Sequence, residues 1–287
     1  MAMLLYSVVS WIGYDKLSLT GDLYAPTTPE GQYEDVSFPS RGQNYQVKAF
    51  FEAGKEGMPA LIVVHGYRGT RYDQHNRDKA TAFRRLGYTI LAVDLSDNGG
   101  STIDNGRISM GYSERWDVLG GFDYLLTRGF TADEIGLVGE SMGAATSLLA
   151  AALEPHIRAV WEDSGYTSAP VVVGEQAGRN GFPAIIVPGG LIIGRLRVGD
   201  RIDEAVPIDA AAMLAANKTT IQIVHCEQDE TVAPHHAPDL FQAYQQAGVK
   251  VDFWLVGCHK HAGAFDFARE DYTRRLDAFF RGNLTVN

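Results

Sequence analysis

Several things are scarce in this 287-residue chain. Cysteine occurs twice, at Cys226 and Cys258, and neither is spaced for metal binding with His225, His235 or His236. No metal site is expected, and no cofactor. Basic residues are outnumbered, 25 Lys and Arg against 35 Asp and Glu, for a formal net charge of −10. Such a surface repels phosphate backbones, so nucleic acid is not an expected partner. No GxxxxGK[ST] loop is present to cradle a phosphate, and there are no internal repeats or low-complexity tracts.

Long apolar runs are missing too. The N-terminal "MAMLLYSVVSWIGY" spans about 14 residues, short of the roughly 20 that a bilayer-spanning helix needs. It also lacks the basic leader and small-residue cleavage pattern of a secretory signal. A cytoplasmic location follows as the expectation, with Cys226 and Cys258 as buried thiols. Leu4, Leu5, Val8, Val9 and Ile12 share one helical face, predicting a short helix docked on the body or on a second copy. Membrane-surface contact through this segment is the alternative.

What the chain does have is a rhythm. Six apolar, β-branched runs recur at 60–66, 88–95, 135–141, 157–164, 220–226 and 251–258. Continuous apolarity suits strands buried on both faces, as in a parallel sheet. Helical stripes lie between them, for instance Val118, Leu119, Phe122, Leu125 and Leu126. Alternation of strand and helix predicts a doubly wound α/β sheet. The earlier "EDVSFPS" and "YQVKAFFEAG" predict an antiparallel hairpin at one edge. The stretch 166–206 breaks the rhythm: it is apolar, rich in glycine and proline, and without a clean period. Its length predicts a small cap over a site at the C-terminal strand ends, with Tyr166 and Ile192 as candidate substrate contacts. The expected organisation is an N-terminal helix and lead-in over 1–33, then one domain over 34–287 carrying the cap.

One run ends in "GLVGESMG". Ser141 sits between Gly139 and Gly143 where a predicted strand passes into a predicted helix, the context of a nucleophile held on a strained turn. A serine hydroxyl needs a base, and the base needs a carboxylate. Asp229 follows the strand "TIQIVHC", and His259 and His261 follow the strand "VDFWLVGC". Three strand ends, in order along the chain, thus each carry one member. His261 is favoured over His259 as base, and Asp229 over Asp163 as acid. Glu140 is expected to anchor the turn from beneath. Cys226 and Cys258 each stand three residues before a member of this set, close enough for a disulfide if their strands pair in register.

The chain resembles the α/β-hydrolase superfamily in its serine esterase, lipase and prolyl-peptidase-like branch. The motifs are "HGYRG" at 65–69, "GESMG" at 139–143, "DETVAP" at 229–234 and "HAGAF" at 261–265. The likeness implies an α/β-hydrolase fold, a mostly parallel doubly wound sheet with a small cap insertion. It also implies an oxyanion hole formed by the backbone N–H groups of Tyr67 and Met142, with His65 stabilising the turn. Where relatives carry D-x-R-G-x-G, this chain has Asp94-Leu95-Ser96-Asp97-Asn98-Gly99 and so lacks the basic residue. The expected activity is cleavage of a neutral carboxylic ester of short to medium acyl length through an acyl-enzyme. Cleavage of amides or peptides by the same triad is the alternative within enzymes. A non-catalytic binding protein of the same fold is the alternative outside them.

Overall fold

The computed structural model describes residues 2–20 and 33–286. Its strands are β1 (Glu34–Pro39), β2 (Gln46–Glu52), β3 (Ala60–Val64), β4 (Thr89–Asp94), β5 (Ile135–Glu140), β6 (Ala159–Asp163), β7 (Thr220–Cys226) and β8 (Lys250–Val256). The helices are α1 (Ala2–Ser18), α2 (Gln74–Leu86), α3 (Arg115–Thr127), α4 (Met142–Leu153), α5 (Ala169–Arg179) and α6 (Ile186–Val198). They continue with α7 (Ala211–Ala216), α8 (His236–Gln246), α9 (Ala264–Phe267) and α10 (Arg269–Asn283). The lead-in expected over 19–33 falls mostly outside the described residues.

The eight strands form one sheet in the order β1-β2-β4-β3-β5-β6-β7-β8. β1 and β2 pair antiparallel as a hairpin, β2 lies antiparallel to β4, and all pairs from β4 to β8 are parallel. Both faces are covered. On one, α3, α4 and α8 bury Val118, Leu119, Leu148 and Leu240 against Ile62, Leu91 and Leu137. On the other, α2 and α10 bury Phe83, Tyr272, Leu276 and Phe280 against Leu61, Ile90 and Val138. That double covering is why the strands read as unbroken apolar runs rather than as alternation. β3 lies between β4 and β5 although both follow it in sequence. Successive connections therefore leave β3 in opposite directions, opening the crevice at the strand ends where such sheets bind ligands.

Three sequence expectations change here. The 166–206 segment is a pair of helices, α5 and α6, rather than irregular chain. Its helical period is masked because α6 is packed with glycines: Gly189, Gly190 and Gly194 face α1. A Cβ on Gly194 would stand 2.2 Å from the Tyr14 ring, and one on Gly190 would stand 2.9 Å from the Ser10 carbonyl. The second change concerns α1, which docks by the face opposite to the expected one. Ser10, Tyr14 and Ser18 are buried, whereas Leu4, Leu5, Val8 and Ile12 are exposed. Small residues allow close helix contact there, and the Tyr14 hydroxyl donates to Asp200 Oδ2 at 2.7 Å. The third is that Cys226 and Cys258 are joined in a disulfide, not left as thiols. β7 and β8 pair in register, so both strand ends arrive side by side. Among the described residues, no helix is long and apolar enough to cross a membrane.

Candidate active site

Ser141 occupies the turn between β5 and α4 with φ 55° and ψ −119°, a conformation costing a non-glycine residue about 1–3 kcal/mol. The surroundings hold it there. Its N–H donates to the Asp163 carbonyl at 2.8 Å. A Cβ on Gly139 would lie 2.3 Å from the Gly143 carbonyl oxygen, and one on Gly143 would lie 2.2 Å from that of Val64. Neither position has room for a side chain. Gly66 passes so near that its missing Cβ would be 3.3 Å from Ser141 Cβ.

Beneath the turn is a buried charge network. Lys79 Nζ reaches Glu140 Oε2 at 2.7 Å and Asp163 Oδ2 at 2.9 Å. Tyr272 also donates to Asp163 Oδ2, at 2.8 Å, and itself receives the Trp161 indole N–H at 2.8 Å. Burial alone would raise the Glu140 carboxyl, but Lys79 and the adjacent His75 outweigh it and hold it well below the usual range. Asp163, weighed in the sequence as a rival triad acid, is committed to this network.

Asp229 and His261 meet over the ends of β7 and β8. His261 Nδ1 lies 2.7 Å from Asp229 Oδ2. The other carboxylate oxygen accepts the backbone N–H groups of Thr231 at 2.8 Å and Val232 at 2.9 Å. Burial pushes the Asp229 carboxyl up, yet the His261 contact and the two amides more than offset this, leaving it below its ordinary value. Its carboxylate is therefore ionised at neutral pH and fixed in direction. His259 sits apart on the surface, with Nδ1 2.7 Å from Gln228 Oε1.

Met142 is the first residue of α4, so its N–H has no acceptor within the helix. Among the described residues neither that amide nor the Tyr67 amide has a hydrogen-bond partner. His65 stabilises the turn before Tyr67: its Nε2 accepts the Leu95 N–H at 3.0 Å, and its Nδ1 lies 2.8 Å from the Gly66 carbonyl oxygen. The loop after β4 works without a basic residue of its own. Asp94 accepts the Arg71 and Gly100 N–H groups, each at 2.7 Å, while Asp97 Oδ1 accepts those of Asp104, Asn105 and Gly106.

The two cap candidates fare differently from expectation. Tyr166 is a core residue, its hydroxyl donated to the Met110 carbonyl at 2.9 Å. Ile192 is 59% exposed on α6, where with Val187, Leu191 and Leu196 it lines an open hollow of about 530 Å³ against α5. A second cavity of about 180 Å³ lies between α1, α5 and α6, lined by neither of them.

Other contributors carried no sequence signal of their own. Tyr67 donates its hydroxyl to the Leu17 carbonyl, and Arg68 donates to those of Lys16 and Leu19, which ties α1 to the loop after β3. Glu175 of α5 meets His235 at 2.7 Å and His236 at 3.3 Å. Three donor atoms thus fall within 4.8 Å of one another. His236 Nδ1 already accepts the Thr167 N–H at 3.2 Å. Its Nε2–H therefore faces Glu175, an arrangement that latches the cap to α8. His75 and Lys79 stand four apart on α2 and both reach Glu140, the residue expected to anchor the turn from beneath.

The family model described as alpha/beta hydrolase fold matches residues 59–183. Among solved structures, an esterase of Pyrococcus furiosus superposes with a TM-score of 0.72 at 16% identity, over 93% of this chain and 98% of that one. An acylaminoacyl peptidase of Pyrococcus horikoshii gives 0.65 at 17%, over 88% of this chain and 42% of that one. Est1E of Butyrivibrio proteoclasticus, solved with ferulic acid bound, gives 0.62 at 18%, over 88% and 99%. At such identities the likeness is one of fold. No curated protein matches the sequence significantly.

Proposed function

We propose that this chain, whose residues 59–183 match the alpha/beta hydrolase fold family and whose fold is similar to that of a solved esterase, is a serine hydrolase cleaving carboxylic esters of short to medium acyl length. The observation that carries the reading is the Asp229–His261 contact of 2.7 Å, made by a carboxylate whose second oxygen is already fixed by two amides. Such a pair sets the imidazole's tautomer, keeping Nδ1 protonated and leaving Nε2 free to accept a proton.

In this reaction Ser141 Oγ forms a bond to the ester carbonyl carbon while its proton passes to His261 Nε2. The carbonyl electrons move to oxygen, where the Tyr67 and Met142 N–H groups receive the negative charge. Collapse breaks the bond to the alcohol, which leaves with the proton from Nε2. Water then repeats the sequence on the acyl-enzyme and releases the carboxylic acid. Asp229 stays ionised throughout and stabilises the imidazolium. The strained backbone at Ser141 and the dipole of α4 support the same reading.

A fluorophosphonate should label the protein once, at Ser141, and Ser141→Ala should abolish both labelling and turnover of p-nitrophenyl acyl esters. His261→Ala should lower kcat by about a thousandfold or more, and His259→Ala by about tenfold or less. Labelling that survives in Ser141→Ala would overturn the assignment. Faster cleavage of aminoacyl anilides than of esters would make the enzyme an amidase.

A further inference from the structure

We propose that Glu175, His235 and His236 form a binding site for one divalent transition-metal ion of the zinc class, which clamps the cap to the body of the molecule. Glu175 comes from α5 in the cap, and the two histidines come from the N-terminal end of α8. His235 Nε2 lies 2.7 Å from Glu175 Oε1, and His236 Nε2 lies 3.3 Å from Glu175 Oε2. One donor atom from each residue falls within 4.8 Å of the others. Zinc, bound at about 2.0–2.2 Å to nitrogen and oxygen, sets its donors about 3.3 Å apart in a tetrahedron. Small side-chain movements therefore suffice to seat the ion. Two imidazoles and one carboxylate are a zinc donor set that leaves the fourth position to water. Calcium and magnesium take oxygen ligands instead. Water reaches the fourth position here, because the His235 side chain is 48% exposed and that of Glu175 is 26% exposed.

Both rings are also held from behind. A metal-bound imidazole keeps one proton and donates it from its other nitrogen, commonly to a carboxylate. His235 Nδ1 has Asp239 Oδ2 at 2.9 Å, and His236 Nδ1 has Thr167 Oγ1 at 2.9 Å. Asp239 and Thr167 thus aim both Nε2 atoms at Glu175. Without an ion, the His236 Nε2–H faces Glu175. Binding moves that ring's proton to Nδ1, which then donates to Thr167 Oγ1 and gives up the longer contact with the Thr167 N–H. Burial holds His236 well below its ordinary pKa, so the ring is neutral at pH 7 and available as a ligand. Two further α5 side chains, Gln176 and Arg179, donate to the Thr231 carbonyl between Asp229 and α8. An ion at Glu175 therefore fixes α5 against the segment that carries the triad acid. The sequence concealed this set because Glu175 stands 60 residues before His235.

The test is calorimetric titration of the chelator-treated full chain with Zn²⁺, followed by Co²⁺ as an optical probe. The wild type should bind one Zn²⁺ with a Kd on the order of 1 μM or tighter, and its melting temperature should rise on binding. Excess Mg²⁺ should not displace the ion. Co²⁺ should give the visible d–d absorption of a four-coordinate site. Glu175→Gln and His235→Ala each remove one partly exposed ligand and should weaken Zn²⁺ binding by more than about a hundredfold, while Asp239→Asn, which only loosens the His235 ring, should cost about tenfold to a hundredfold. Either ligand variant suffices if the other fails to fold. Failure of the wild type to bind Zn²⁺, or equal binding by the wild type and the ligand variants, overturns the site. Neither readout involves ester turnover, so the outcome is independent of the esterase reading.

Discussion

Cys226 and Cys258 are bonded across the ends of β7 and β8, their Cα atoms 4.9 Å apart, three residues ahead of Asp229 and His261 respectively. The bridge closes a loop of 32 residues where the Asp229 and His261 loops leave the sheet. In the chain-entropy description such a closure is worth about 3–4 kcal/mol. The double variant Cys226→Ala/Cys258→Ala should therefore melt well below the wild type. Its ester turnover should also be lost at a lower temperature, because the two loops then keep only the Asp229–His261 contact and the backbone hydrogen bonds of Glu227 and Gln228 to Val256 and Cys258. Calorimetry and activity measured over the same temperatures decide this, and identical curves for the two proteins would leave the bridge without the role.

The ion network under the Ser141 turn yields a second prediction. Lys79 is almost fully buried between the Glu140 and Asp163 carboxylates. Lys79→Met keeps much of the volume but leaves two carboxylates without their cation. Breaking a buried pair in this way costs about 3–5 kcal/mol. Urea denaturation should show that loss. A change under 1 kcal/mol would mean that the carboxylates find other compensation.

Glu162 makes a prediction about pH. It is fully buried at the end of β6, and among the described residues its carboxylate has no side-chain partner, only the backbone N–H of Gly165 beside it. Burial, reinforced by the neighbouring Asp163 charge, raises its carboxyl to about 8. Folding thus favours the neutral form. The resulting stability is complete below the unfolded value of about 4.3 and is lost as pH rises toward about 8. Glu162→Gln cannot ionise, so the melting temperature of the wild type relative to this variant should fall between pH 5 and pH 8. Parallel pH profiles would show that Glu162 does not titrate in that range.

Much of this molecule was legible in one dimension. β3 to β7 stand where continuous apolar runs occur, because strands covered on both faces need no polar alternation, while β8 is the partly exposed edge of the sheet. The strained turn at Ser141 was readable because glycine is required wherever backbone packs against backbone, and Gly139 and Gly143 mark that contact in the sequence itself. The order of Ser141, Asp229 and His261 along the chain was readable for the same reason, each following a recognisable strand.

What the sequence could not fix were choices between partners. The face of α1 that docks was misread, because apolar side chains suggested one side while close approach to the α6 glycines selects the small and hydrogen-bonding one. α5 and α6 hid their helical period because one side of α6 is glycine. Tyr166 looked like a substrate contact, yet only the packing of distant segments put the Met110 carbonyl within its reach. Whether Cys226 and Cys258 bond depended on the register of β7 against β8, a relation between strands that neither strand contains. Local patterns are set by covalent geometry and by which faces must be buried, so the sequence by itself determined the strands, the sharp turn and the order of the catalytic candidates. Pairing across 30 to 180 residues depends on the simultaneous closure of the whole sheet and cap, so only the tertiary structure decided the disulfide, the docking of α1 and the residues that line the cavity.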